Sequence, residues 1–302
     1  MSGHESSTKA ILYALLANFG IAVAKLVASL YTKSGSMLAE AVHSFADCSN
    51  QLLLFLGLKR SKRPPTDEHP LGYGKVIYFW SFIVAILLFS IGGAFSIYEG
   101  VHKVMEPEAL NDVWVALIVL FVSIGLESFS LIGAIREINK LKGSKSLKQW
   151  IKTTRNAELI VILGEDVAAI VGLTIAFAFV LTAFLTNNPI YDAVGSIAIG
   201  LILITISIFL SIRIKSLIIG RSADPELQEI VQNKISQNPD VKEIFNIITI
   251  QFGSNVMFAA KLRFCNTLNI DSVCNSINQL EKEIKIAYPE IKWCFIEPDI
   301  AE

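Results

Sequence analysis

The sequence predicts an α-helical membrane protein, six transmembrane helices followed by a small α+β domain of order α-β-β-α-β. Three observations carry this prediction. Of 302 residues, 53% are hydrophobic and only 18% charged, where a soluble domain carries about 25% charged residues. The apolar residues gather in runs of roughly 20 or more, the length that crosses about 30 Å of hydrocarbon. From about residue 216 onward those runs give way to alternating helical and strand patterns.

The spans are predicted at about 10–31, 37–58, 76–100, 113–135, 157–184 and 190–212. The first nine residues, MSGHESSTK, are polar and read as a cytoplasmic tail; no cleavable signal peptide is evident in the apolar run behind them. Pro189 in TNNPIYD is placed to start the sixth helix, and Asp192 to cap it. Basic residues set the orientation. Lys59, Arg60, Lys62, Arg63 and Lys75 follow the second span, seven more follow the fourth, and Arg213, Lys215 and Arg221 follow the sixth. The opposite loops hold Lys33 and Lys103 and no basic residue at 185–191. The positive-inside rule then puts both termini in the cytoplasm or its equivalent, in a bacterial inner membrane or an organelle membrane.

The chain divides into a tail at 1–9, a membrane domain at 10–215 and a cytoplasmic domain at 216–302. In the last of these, a helix is predicted at about 224–238, strands at about 242–252 and 255–265, a helix at about 271–287, and a strand at about 291–297. The β-branched and aromatic residues of NIITIQF and MFAAKLRF favour strands, and GSN at 253–255 supplies the turn. This order suggests an open-faced sheet covered by two helices. About 80 residues bury a limited core, which suits packing against a second copy and a role in dimerisation. The four cysteines form no CxxC pair, which suggests reduced thiols.

The chemistry lies where lipid is expected. In MLAEAVHSFADCSNQ, His43 and Asp47 stand at i, i+4 on one helical face. Imidazole nitrogen and carboxylate oxygen both ligate divalent transition metals. The fifth span adds Glu165 and Asp166 in LGEDVAAIVG. A charge at the bilayer centre costs on the order of 2.5–3.5 kcal/mol on insertion scales, and a bound cation exchanged against protons would relieve several such acids. A lone intramembrane aspartate can equally be a packing acceptor, and a lone histidine an interhelical donor. The HxxxD pair together with a second acid pair favours a metal site.

SMLAEAVHSFADCSNQLLLFLGL resembles the second span of the cation diffusion facilitator family of zinc transporters, and HPLGYGK (69–75) the signature after it. EDVAAIVGL and CFIEPD are most similar to the branch that includes zinc transporter nine. The resemblance covers nearly the whole chain. It implies six spans, a ferredoxin-like cytoplasmic domain, and a homodimer in which each copy exports zinc in exchange for protons. It matches His43, Asp47 and Asp166 to metal ligands. The family's remaining ligand, four residues before that last aspartate, is here Ile162. The fourth ligand would then be Glu165, another acid or water. Histidine on the second span favours zinc over manganese, and its titration near neutral pH offers a proton route. Manganese, iron, cobalt and nickel remain open.

Other residues have weaker claims. Asp67, Glu68 and His69 neighbour Tyr73 where many relatives complete a second metal site with histidine, so this loop reads as solvated. Lys75 resembles a family lysine that forms a charge interlock, but the usual acidic partner is here Gly220. Glu40 and Glu99 fall near span ends and read as interfacial. Glu127, deeper in the fourth span, is either a packing acid or part of a cation or proton path. The cytoplasmic domain contains no histidine, and Cys265, Cys274 and Cys294 read as small buried hydrophobes before metal ligands. The expected partners are a divalent cation, protons, lipid and a second copy, with no nucleic acid and no prosthetic group. Two competing classes remain: a transport-deficient membrane regulator or partner-binding protein, motivated by Ile162, and an intramembrane metalloenzyme, for which no HExxH span exists.

Overall fold

The computed structural model describes residues 18–301. The expected tail at 1–9 and the start of the first span lie outside the described residues. The chain folds as two compact units. One comprises the chain up to Gly57, Trp80–Ser144 and Glu158–Ile214; the other comprises Leu58–Phe79, Lys145–Ala157 and the chain from Lys215.

The first unit is helical. Its elements are α1 (Asn18–Thr32), α2 (Gly35–Ser61), α3 (Val76–Met105), α4 (Val113–Leu141), α6 (Ala157–Thr186) and α7 (Ile190–Ile219); the short α5 (Leu147–Thr153), between α4 and α6 in the chain, belongs to the second unit. Among the described residues, α3, α4, α6 and α7 are long and apolar enough to cross a membrane. The long α2 falls short of that hydropathy because it carries His43, Asp47, Asn50 and Gln51. On α4, Phe121, Phe129 and Ile118 are largely exposed, as expected of side chains that meet acyl tails and not water.

Two features shape this bundle locally. In α3 the residues Leu88–Ala94 form a π-helical segment, and Ser207 of α7 donates to the Ala85 carbonyl just before it (2.6 Å). Gly93 and Gly200 let α3 and α7 approach closely: a Cβ on Gly200 would sit 2.7 Å from the Gly93 carbonyl oxygen. Asp192, expected to cap its own helix, instead lies within the first turn of α7 and caps α2. Its carboxylate accepts from the Gly35 N–H (2.6 Å), the Ser36 N–H (3.2 Å) and the Ser34 hydroxyl (2.7 Å). α7 starts at Ile190, two residues before Asp192, so that carboxylate is free to serve the orphan donors of a neighbouring helix.

The second unit contains α8 (Pro225–Ser236), β1 (Val241–Phe252), β2 (Asn255–Phe264), α9 (Ile270–Ala287) and β3 (Ile291–Pro298). The sheet order is β1-β2-β3, with β1 and β2 antiparallel and β2 and β3 parallel, so α9 is the crossover. Phe252 pairs with Asn255 across a two-residue turn, and Gly253 takes a positive φ of 62° there. Alternate β2 residues Val256, Phe258, Ala260, Leu262 and Phe264 face a core closed by Val231, Ile235, Leu280 and Ile284 of the two helices. Asp224 and Asn269 cap α8 and α9 through the Glu226 and Ser272 N–H groups. The outer edge of β1 is covered: Gln251 N–H donates to the Arg221 carbonyl and Ala223 N–H to Thr249 Oγ1.

The candidate cation site

α2, α4 and α6 border a cavity of about 600 Å³ in the helical unit. Asp47 reaches it from α2, Glu127 and Ser130 from α4, and Glu165 and Asp166 from α6. Helix geometry makes this convergence possible. Glu127 and Ser130 are i, i+3, and Ile162 and Asp166 are i, i+4, so each pair shares a face. Ile162 contributes apolar wall where the resemblance implies a ligand.

The acids are only partly satisfied. Asn50 Nδ2 donates to Glu165 Oε1 at 2.6 Å, and Ser130 Oγ donates to Asp166 Oδ1 at 3.2 Å. Among the described residues, Asp47 Oδ1 and Asp166 Oδ2 are buried without a hydrogen-bond partner. A buried carboxylate oxygen left unpaired is costly, and a cation is the ligand that would satisfy it. His43 is fully buried, with Nε2 3.5 Å from Asp47 Oδ2 and neither ring nitrogen hydrogen-bonded among the described residues. It stands beside Asp47 but not on the cavity wall; its Nδ1 instead comes near Gly92 of the π-helical segment, 3.9 Å from where a Cβ there would lie. Among the described residues, no three His, Cys, Asp or Glu side chains are gathered tightly enough to enclose an ion. The arrangement is an acid-lined chamber with a histidine alongside.

The structure adds to the sequence reading at three residues, Glu40, Lys25 and Ser130. Glu40, read from the sequence as interfacial, is fully buried among the helices, because the missing Cβ of Gly172 on α6 leaves room for its carboxylate. Lys25 of α1, which the sequence reading passed over, is fully buried 3.6 Å from Glu40 Oε2. A lysine inside an apolar run is itself the signal that marks it. Ser130 was also missed; its spacing from Glu127 was the available clue.

In the second unit, Lys75 lies over the Phe252 ring, 4.7 Å from its centroid. His69 stacks on Tyr73 at 4.5 Å in an exposed loop. Cys294 is buried in the core, and burial pushes its thiol up to about 12, far from the thiolate that metal binding needs. Asp299 is held below the usual carboxylate range by Lys261, 2.7 Å away.

Residues 11–217 match the cation efflux transmembrane domain. Over 269 residues, 85% of this chain, it is 34% identical to the mitochondrial proton-coupled zinc antiporter SLC30A9 of Xenopus laevis. Its human counterpart is 30% identical over 91% of the chain. This chain spans about half the length of those two relatives, 48% in each case. The manganese efflux system protein MneP of Bacillus subtilis is 25% identical over 95% of this chain and 93% of its own length. With the domain match covering most of the chain and the similarity to the antiporters extending into the C-terminal unit, the chain belongs to the cation diffusion facilitator family, on the branch of zinc transporter nine.

Proposed function

We propose that this chain is a divalent-cation efflux transporter that exchanges zinc for protons by alternating access. The observation that carries the reading is the cavity bordered by Asp47, Glu127, Glu165 and Asp166, with buried carboxylate oxygens that lack partners among the described residues. Soluble packing gives no reason to bring several acids together inside an apolar bundle; a cation does. Asp47 and Asp166, with His43 beside Asp47, act as ligands, Glu165 supplies the position that Ile162 leaves without one, and Glu127 serves the path. Zinc ligands bind metal only when deprotonated, so cation and protons compete for the same groups, and this competition couples their fluxes. Six spans, cytoplasmic termini, and a ferredoxin-like dimerisation domain at 216–302 complete the reading.

Manganese is the second candidate. Four carboxylates line the cavity while His43 stands off it, and oxygen ligation suits harder ions. Uptake of zinc and manganese into proteoliposomes under an imposed pH gradient tests both. Zinc uptake that follows the gradient and is lost in Asp47→Ala and Asp166→Ala supports the exchanger. Preference for manganese changes the cargo, and a flat response from intact protein favours a transport-deficient regulator.

A further inference from the structure

A lysine within an apolar helix has no stable place for its charge unless an anion meets it. Lys25 of α1 meets Glu40 of α2 at 3.6 Å and donates to Ser44 Oγ at 2.8 Å. Both charged residues are fully buried, and neither Glu40 oxygen has a hydrogen-bond partner among the described residues. Glu40, His43, Ser44 and Asp47 stand at i, i+3, i+4 and i+7, so they form one stripe along α2. The stripe therefore carries two carboxylates. Asp47 borders the cavity; Glu40 does not, and holds a protein cation in its place. Ser44 belongs to both ends, because it lines the cavity and accepts from Lys25.

We propose that Lys25 is a resident counter-cation: its ammonium neutralises Glu40 and withholds that carboxylate from the cavity, which then takes one divalent ion on the remaining acids. Lys25 is a positioning residue that acts through charge, and its role rests on the reading of the cavity as a cation site. Removing either partner has opposite effects. Without Lys25, a bare carboxylate remains on the stripe, adds an oxygen ligand and attracts a harder or a second cation. Without the charge of Glu40, a bare ammonium remains beside Ser44 and repels an arriving divalent ion. Removing both charges returns the cavity to its original balance.

Equilibrium binding of zinc and manganese to the purified full-length chain in detergent tests this, on the parent, Glu40→Gln, Lys25→Met and the double variant. Glu40→Gln should weaken zinc binding by at least about tenfold, the scale of one uncompensated charge at low dielectric. Lys25→Met should raise the manganese-to-zinc affinity ratio by about tenfold or bind a second ion per chain. The double variant should return to within about threefold of the parent. A merely structural pair would give no shifts of opposite sign and no such return. Parent-like binding in both single variants overturns the proposal. So does a double variant as weak as Glu40→Gln, which would make Glu40 itself a ligand. Should Glu40→Gln fail to fold, the manganese-to-zinc ratio of Lys25→Met against the double variant decides alone. A parent that binds neither metal removes the cation-site reading first, and the role of Lys25 with it, before any variant is compared.

Discussion

Ile162 stands on the cavity wall where the resemblance implies a ligand, and that position makes the expectation testable. It precedes Asp166 by four residues, the same spacing as His43 and Asp47. Ile162→His should therefore add a nitrogen ligand on the same face and tighten zinc binding by about tenfold or more, measured by calorimetry. Unchanged affinity would place the ion elsewhere. Cys294 provides a second check outside the membrane segments. Because burial raises its thiol to about 12, it remains protonated across the neutral range. At pH 8, maleimide should modify exposed Cys274 well before Cys294, as read by peptide mass spectrometry. Asp299 acts in the opposite direction. Its folded value is depressed by Lys261, so its stabilising contribution is present above its unfolded value near ~4 and is lost as pH falls through the folded value.

At the scale of elements, the start of α2 depends on another helix. Gly35 and Ser36 donate to Asp192, so Asp192→Ala removes a buried cap worth about 1–2 kcal/mol. Hydrogen exchange at those two amides should accelerate by about 5- to 30-fold, with smaller changes in the middle of α2. Exchange no faster than in the parent would show that α2 is held by packing alone. In the C-terminal unit, Phe258 is fully buried at the centre of β2. Phe258→Ala should destabilise that unit by about 3–5 kcal/mol, read as a lower urea midpoint for loss of the sheet. The short α5 shows how much local sequence can specify. Ser146 and Gln149 form a reciprocal capping box, an S-x-x-Q pattern legible in the sequence.

For the whole molecule, two physical codes were readable at different strengths. Long apolar runs and β-branched alternation located the helices and strands, because each depends on short-range periodicity. Predicted strands at 242–252 and 255–265 meet observed strands at Val241–Phe252 and Asn255–Phe264. Helix ends were less legible. α4 continues to Leu141 and α7 to Ile219, beyond the apolar stretch, because charged residues such as Arg136 and Lys140 remain good helix formers outside lipid. The acids at 47, 127, 165 and 166 were recognisable as misplaced in lipid, since their cost is a property of residue type and depth alone.

The sequence by itself determined that the chain is a bundle of apolar helices with a small α/β unit, and that unusual charge lies among the helices. Only the tertiary structure decided which charges meet. It brought Glu127 to the cavity of Asp47, Glu165 and Asp166, set His43 off the wall, turned Asp192 from its own helix to α2, and buried Glu40 against Lys25. The reason is geometric. Periodicity fixes which residues share a face of one helix, but which faces oppose one another follows from close packing, as where Gly172 admits Glu40 and Gly200 admits α3.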